Sequence, residues 1–165
     1  QICGGPAWSV FWPAKPRQRS TGMNQNKIKL AFVDDDESFA SALERRFRLL
    51  GLEVTTYPSA EAFLASTTLP RPDCLVLDIQ LGGMSGLDLQ RRLGEPGARA
   101  PIIFVTAHDS PAMRKEAQQA GCSAFFLKPV PTKQLLEAIN QAVNPGGDDS
   151  HMGAIAAAAT RHQQP

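Results

Sequence analysis

Four short apolar runs in this chain end in residues that can bind or transfer a charged group. The runs end at Asp34 and Asp35, at Asp78, at Thr106 and at Lys128. In a parallel α/β sheet, ligands collect outside the carboxyl ends of the strands, so residues that are far apart in the sequence can meet there. The pattern therefore predicts one site that combines acidic groups with a hydroxyl and an ammonium group.

The acidic residues in this set predict a metal site. Asp34 and Asp35 directly follow an apolar run, where a charge is costly unless solvent, a cation or a helix N-terminus compensates it. Asp36 and Glu37 need no metal, because acidic residues favour the first turn of a helix. Asp78 is expected at the same edge as Asp34 and Asp35, and a hard divalent cation with oxygen ligands would relieve their mutual repulsion. The sequence therefore predicts Mg²⁺.

Lys128 and Thr106 add groups that can bind phosphate. Lys128 precedes Pro129, and a residue before proline favours an extended backbone, which would project the ammonium group toward the acids. An ion pair with Asp78 is compatible with this role, because the same charge can serve a resting and a phosphorylated state. Thr106 taken alone is better explained as an ordinary β-branched strand end, and the other site residues reverse that preference. Together with the acids, the two residues predict phosphoryl transfer.

Alternating strands and helices must position these groups. Apolar runs predict strands at 28–33, 53–57, 73–79, 102–105 and 123–127, and helical spacing predicts helices at 38–50, 59–65, 86–93, 111–120 and 131–143, with Ser38 as the first N-cap. Such alternation implies parallel pairing and right-handed crossovers, with helices on both faces of the sheet. The unbroken apolar runs at 75–77 and 102–105 predict central strands, whereas the mixed run at 53–57 predicts an edge.

Composition excludes several classes of protein. Seventeen Lys and Arg against sixteen Asp and Glu give a net charge of +1, so no global charge points to nucleic acid. Cys3, Cys74 and Cys122 are odd in number and form no CxxC pair, which argues against a disulfide framework or a zinc site and favours a reducing cytoplasm. No run approaches the roughly 18 apolar residues of a membrane helix.

The chain of 165 residues divides into three segments. Residues 1–26 contain Pro6, Pro13 and Pro16 without helical or strand periodicity, so we expect an irregular leader, with a docking peptide as the alternative. Residues 27–143 form the alternating domain. Residues 144–165 begin with a helix stop and a glycine-rich linker, which predicts a flexible C-terminal tail rather than an output domain.

Four motifs resemble the receiver domain of bacterial two-component response regulators. They are Val33-Asp34-Asp35, residues 77–86, Val105-Thr106-Ala107 and Leu127-Lys128-Pro129, and the similarity spans 27–143. The resemblance implies a flavodoxin-like, chemotaxis-regulator-like fold: a doubly wound five-stranded parallel sheet in the order 2-1-3-4-5. Residues 57–64 and 81–86 look like receivers joined to helix-turn-helix domains. The chain would then be either a stand-alone receiver or the excised receiver of a DNA-binding transcriptional regulator.

The resemblance also implies a role for each site residue. Asp78 would accept phosphate from a sensor histidine kinase, a histidine phosphotransfer protein or a small phosphodonor. Asp35 and Asp78 would bind Mg²⁺ directly, joined by the backbone carbonyl of Gln80, while Asp34 would act through water. Lys128 and Thr106 would bind phosphoryl oxygens. Gly82 stands where such receivers often have proline, so the Gly82-Gly83 pair is expected to loosen the loop after Asp78.

A conformational switch is implied as well. Thr106 would move toward the phosphate, and Phe125, at the aromatic position of the last strand, would swing inward; plain core packing explains Phe125 equally well. The surface of the fourth helix, fifth strand and fifth helix would carry the output, with phosphorylation-driven homodimer formation left open. We expect a cytoplasmic chain that binds neither nucleic acid nor a membrane directly.

Two alternative functions use the same sheet edge. A phosphatase with an aspartate nucleophile would have an acid two residues after it, but Gln80 occupies that position. A degenerate receiver that only binds partners would normally have lost a site residue, and none is missing here. We therefore expect a signalling domain rather than an enzyme, with Mg²⁺-dependent self-phosphorylation and autodephosphorylation chemistry.

Overall fold

The computed structural model describes residues 27–66, 71–94 and 100–145. Within these residues strands and helices alternate strictly. The elements are β1 (Lys29–Val33), α1 (Glu37–Leu49), β2 (Glu53–Tyr57), α2 (Ala60–Ala65), β3 (Cys74–Leu77), α3 (Gly86–Arg92), β4 (Ile102–Thr106), α4 (Pro111–Gln119), β5 (Ala124–Leu127) and α5 (Thr132–Val143). The predicted leader at 1–26 and most of the predicted tail lie outside the described residues.

The five strands form one parallel sheet in the order β2-β1-β3-β4-β5, which confirms the predicted fold class. The register aligns the carboxyl ends of neighbouring strands: Val33 pairs with Leu77, and Thr106 pairs with Leu127. The residues that follow these pairs, Asp34, Asp78 and Lys128, therefore emerge at one edge of the sheet.

Each face of the sheet is covered by its own apolar layer. Successive side chains of a strand point to opposite faces, so Leu30 and Phe32 pack on the α1 and α5 side while Ala31 and Val33 pack on the α2, α3 and α4 side. All residues of β3 and β4 are buried, as predicted for central strands, and β2 is a half-exposed edge. Packing on both faces therefore fixes the positions of the strand ends that carry the acidic residues.

Helix caps explain why the chain turns where it does, and they correct one prediction. Asp36, not Ser38, is the N-cap of α1, because its side chain accepts a hydrogen bond from the amide of Phe39 at 3.0 Å. Glu37 occupies the first turn, as the simpler explanation of these two acids predicted. The helix thus begins directly after the acidic pair and leaves Asp34 and Asp35 in the preceding turn.

Gly86 closes the loop between β3 and α3 against the end of β3. Its amide donates to the carbonyl of Ile79 at 3.0 Å, and a Cβ at this position would lie 2.1 Å from the carbonyl oxygen of Asp78. Only glycine permits so close an approach of two backbone segments. Across the described ranges, no helix is both long enough and apolar enough to span a membrane.

Candidate functional site

A lysine bridges two buried carboxylates at the carboxyl edge of the sheet. The Nζ atom of Lys128 lies 2.7 Å from Oδ2 of Asp34 and 2.7 Å from Oδ2 of Asp78. The side chains of Asp34 and Asp78 are only 1% and 6% exposed, and that of Lys128 is 14% exposed. The predicted ion pair with Asp78 is present, and a second carboxylate shares the same ammonium group.

The sheet continues past the strand ends and holds these residues by their backbones. The amide of Asp78 donates to the carbonyl of Val33 at 2.9 Å, and the amide of Lys128 donates to the carbonyl of Thr106 at 2.9 Å. The second oxygen of Asp78 accepts a hydrogen bond from the amide of Gln80 at 3.0 Å. Each carboxylate oxygen of Asp78 is therefore held by its own donor, Oδ2 by Lys128 and Oδ1 by the amide of Gln80.

An acidic corner forms where Asp35 joins the buried pair. Carboxylate oxygens of Asp34, Asp35 and Asp78 lie within 4.8 Å of one another. Asp35 is exposed, whereas the other two residues are buried. A set of carboxylate oxygens with one side open to water has the chemistry that a hard divalent cation of the Mg²⁺ type requires. The residues present therefore fit the predicted metal.

Burial and charge act in opposite directions on the titration of this cluster. Burial raises the pKa of Asp34, and the hydrogen bonds from Lys128 and from the amide of Asp36 only partly offset it. Burial acts to lower the pKa of Lys128, but its hydrogen bonds with Asp34 and Asp78 outweigh this and raise the pKa overall. Lys128 is therefore held as an ammonium ion, and the carboxylates outnumber it, which leaves the corner negatively charged.

Thr106 and Phe125 lie on the neighbouring strands β4 and β5, and Thr106 ends β4 at the edge that carries the cluster. Thr106 is fully buried, and its hydroxyl accepts from the amide of His108 at 3.4 Å. The ring of Phe125 is half-buried, and its centroid lies 6.5 Å from that of Phe104. The guanidinium carbon of Arg114 lies over this ring, 4.7 Å from its centroid. The hydroxyl that was predicted to bind phosphate is thus engaged with a loop amide here.

Two further contacts, one in the site and one in the loop beside it, were not predicted from the sequence. The ring of Phe39 lies 4.5 Å from Nζ of Lys128, a cation–π contact. Phe39 lies in the first turn of α1, directly after the acidic residues, and this closeness in the sequence was the available signal. Glu61 accepts from the amide of Met84, in the loop that follows Asp78, at 2.8 Å. No sequence pattern pointed to this contact.

Comparison with known proteins identifies the family. Residues 30–140 match the model of the response regulator receiver domain. The chain belongs to this family. It is therefore a receiver domain of the kind found in two-component systems, and the matched span contains nearly all of the alternating strands and helices described above.

The receiver resembles several curated regulators over part of their length. It is 40% identical over 121 residues to response regulator protein TmoT of Ectopseudomonas mendocina, covering 73% of this chain and 55% of that protein. It is 36% identical over 138 residues to response regulator protein TodT of Pseudomonas putida, covering 82% and 61%. The chain thus spans little more than half the length of these relatives.

Solved structures show the same fold. The receiver protein from Burkholderia phymatum is 36% identical with a TM-score of 0.63, and the match covers 72% of this chain and 96% of that one. The structure titled FixJ-N is 35% identical with a TM-score of 0.64, covering 72% and 94%. These matches agree with the five-stranded parallel sheet and its helices on both faces.

The raised pKa of Asp34 predicts how a variant responds to pH. A carboxyl whose folded-state pKa lies above its usual value of 3.8 is harder to ionise in the folded protein, so stability falls as pH rises from 3.8 through the folded-state value. Asp34→Asn removes this loss of stability, because asparagine does not ionise, and Lys128 still pairs with Asp78. In metal-free buffer the variant should therefore be more stable than wild type at neutral pH, with the advantage shrinking toward acid.

Urea unfolding from about pH 4 to about pH 8 in the presence of a chelator measures this difference. Glu137→Gln on α5 is the matched control, because its carboxylate is exposed and pairs with the exposed Lys133 rather than with Lys128. If Asp34→Asn were less stable than wild type at neutral pH, the ionised Asp34 carboxylate would not be destabilising, which would contradict the raised pKa of this group.

Proposed function

We propose that Asp78 accepts a phosphoryl group in a Mg²⁺-dependent reaction and that the resulting aspartyl phosphate changes an output surface. The donor would be the phosphohistidine of a sensor histidine kinase or of a histidine phosphotransfer protein, in the cytoplasm. The observation that carries the proposal is the ammonium group of Lys128 between two buried carboxylates, beside the exposed Asp35.

Charge neutralisation is the main requirement of this reaction. Phosphoryl transfer passes through a loose transition state that needs positioning and compensation of charge more than acid–base chemistry. An oxygen of Asp78 attacks phosphorus, the bond from phosphorus to the donor nitrogen breaks, and the imidazole leaves. Lys128, already between the two carboxylates, can bind a phosphoryl oxygen without losing its place in the site.

Bound Mg²⁺ would supply the remaining positive charge. We assign Asp35 and Asp78 as its direct carboxylate ligands, the backbone carbonyl of Gln80 as a third protein ligand and Asp34 as a ligand through water. The backbone of Gln80 is held close to Asp78 by the hydrogen bond from its amide to that carboxylate. The acidic corner and the loop after Asp78 would thus form one binding site.

The switch would couple the phosphate to Phe125. The hydroxyl of Thr106 would leave the long contact with the amide of His108 and bind a phosphoryl oxygen. Phe125 would then turn inward beside Phe104 and lose the contact with Arg114. Because phenylalanine has no hydroxyl, the hydrophobic effect alone would favour the inward state. The output surface would be the one formed by α4, β5 and α5.

The longer relatives suggest how that surface is used. A regulator 37% identical over 110 residues carries the name transcriptional regulatory protein FixJ, and this chain covers 54% of it. We propose that this receiver likewise controls transcription, either as part of a longer protein or through contacts with another one, and that a phosphorylation-driven homodimer is one form of its output. The net charge of +1 gives no global electrostatic reason for the chain itself to bind nucleic acid.

Uptake of phosphate from acetyl phosphate tests the reaction. Wild type should acquire a hydroxylamine-sensitive phosphate with Mg²⁺ and none with a chelator, and Asp78→Asn should acquire none. Lys128→Met should slow uptake by about a hundredfold or more, as the loss of a preorganised charge at a reacting oxygen does elsewhere. Lys133→Met, which removes an exposed lysine, is the matched control and should react like wild type.

Two outcomes would contradict the proposal. Label on Asp78→Asn at the wild-type rate would move the chemistry to another residue. No label on wild type in Mg²⁺ would favour the alternative of a receiver that works by binding alone.

The contact between Arg114 and Phe125 gives a separate test of the switch. Arg114 is fixed over the ring by two hydrogen bonds to Asp109, each 2.7 Å long, and an exposed cation–π contact contributes about 0.5–1 kcal/mol. Arg114→Ala removes this support from the state described here. Beryllofluoride, a phosphoryl mimic, should then bind about two- to fivefold more tightly with Mg²⁺.

Arg48→Ala serves as the control for this titration, since Arg48 pairs with Glu44 on α1, away from Phe125. Equal beryllofluoride affinity in wild type and Arg114→Ala would show that Phe125 does not change its surroundings on activation.

A further inference from the structure

We infer that Glu61 is a positioning residue for the metal site: it holds the loop between β3 and α3 in place and thereby sets the affinity for Mg²⁺. The inference rests on the proposed function, because it concerns the loop that carries the backbone carbonyl of Gln80. Glu61 lies in the first turn of α2 and would touch neither the metal nor the phosphate. It would act through the backbone of the loop at 78–85.

The contact joins two segments that are distant in the sequence. Oε1 of Glu61 accepts a hydrogen bond from the amide of Met84 at 2.8 Å, across 23 residues. This bond, together with one from the amide of Glu61 itself, lowers the pKa of the carboxyl. The acceptor is therefore ionised at neutral pH, and a charge-assisted hydrogen bond is stronger than one between neutral groups.

Glycine at position 83 is what allows the carboxylate to approach. A Cβ on Gly83 would lie 2.8 Å from Oε1 of Glu61, whereas a Cβ on Gly82 would have nothing within 4 Å. The two adjacent glycines therefore differ in their surroundings. The missing side chain of Gly83 leaves room for the carboxylate of Glu61, whereas Gly82 faces open space.

The hydrogen bond between Glu61 and the amide of Met84 can affect the site through the few residues that separate Met84 from Asp78. The amide of Gly86, two residues further on, bonds to the carbonyl of Ile79, and Gly86 packs directly against the carbonyl of Asp78. Ile79 and Leu81 are buried, so the first half of the loop is fixed by apolar contacts. Glu61 fixes the second half, where the paired glycines would otherwise give the backbone the most freedom.

The physical consequence is preorganisation. A loop that is already ordered loses less conformational entropy when its carbonyl binds a cation, and the affinity rises accordingly. The direct effect of the Glu61 charge on the cation is small, because the side chain is exposed and its field is screened by solvent and salt. The hydrogen bond, rather than the charge, is the active feature.

Four variants separate these contributions. Glu61→Ala removes the acceptor, Glu61→Gln keeps an acceptor oxygen without the charge, Gly83→Ala pushes the carboxylate away, and Gly82→Ala is the matched glycine control. Calorimetric titration with MgCl₂ measures the dissociation constant, and hydrogen exchange followed by NMR in chelator measures protection of the Met84 amide. The second readout needs neither metal nor phosphate.

Glu61→Ala should weaken Mg²⁺ binding by about threefold to tenfold and speed exchange of the Met84 amide by a similar factor, the range expected for one intramolecular hydrogen bond. Gly83→Ala should behave in the same way. Glu61→Gln keeps an acceptor oxygen but loses the charge assistance, so its loss should be smaller than that of Glu61→Ala in both measurements. Gly82→Ala should match wild type in both.

If Glu61→Ala bound Mg²⁺ with wild-type affinity, the inference about Glu61 would be overturned and the proposed function would stand. The same holds if Glu61→Gln bound Mg²⁺ as weakly as Glu61→Ala, because the effect would then belong to the charge and not to the hydrogen bond. Failure of wild type to bind Mg²⁺ would overturn the proposed metal site and the inference with it. Normal Mg²⁺ binding without phosphate uptake would overturn the proposed reaction and leave the role of Glu61 in metal binding standing.

Discussion

The repulsion between two buried carboxylates, and the single ammonium group that offsets it, is the constraint on which the site depends. Asp34 and Asp78 reach the same edge because their strands are neighbours in the sheet, and Lys128 lies 2.7 Å from both. Removing Lys128 would leave both buried carboxylates without their cation, and an uncompensated buried charge commonly costs about 3–5 kcal/mol. A cluster that keeps more negative than positive charge, with Asp35 open to solvent, is poorly suited to stability and well suited to binding a cation and a phosphoryl group.

Helix α4 is packed less deeply than the other described helices, and this difference matches its proposed role. On one face, α1 and α5 contribute Leu43, Phe47, Leu135 and Ile139 to a continuous apolar layer. On the other, α4 contributes Ala117 as its one fully buried residue among those described. The contacts of α4 with its surroundings include ion pairs at its surface, from Arg114 to Asp109 and from Glu116 to Arg91. A helix held largely by exposed polar contacts can shift at low cost, so a change at Phe125 would be expressed there.

Much of the fold followed from local patterns, because buried parallel strands are unbroken apolar runs and amphipathic helices repeat every few residues. The runs at 75–77 and 102–105 were central, and the mixed run at 53–57 was an edge. The sequence predicts Ser38 as the N-cap of α1, whereas Asp36 is the N-cap, since both residue types cap helices. What the sequence could not show were side chains that meet across elements: the second partner of Lys128, the ring of Phe39 beside it and the bond from Met84 to Glu61. Such contacts have no period, and they arise only when the sheet and its loops are assembled.

Chemical trapping of the phosphorylated residue tests the central claim most directly. Borohydride reduces an aspartyl phosphate to homoserine, so peptide mass spectrometry after treatment with acetyl phosphate and Mg²⁺ identifies which carboxylate was modified. Homoserine at position 78 alone is the result we predict, since Asp78 stands at the phosphoacceptor position implied by the resemblance to receiver domains and is the more exposed of the two carboxylates that bond to Lys128. Homoserine at position 34 or 35, or none at any position in a protein that retains its fold, would contradict it.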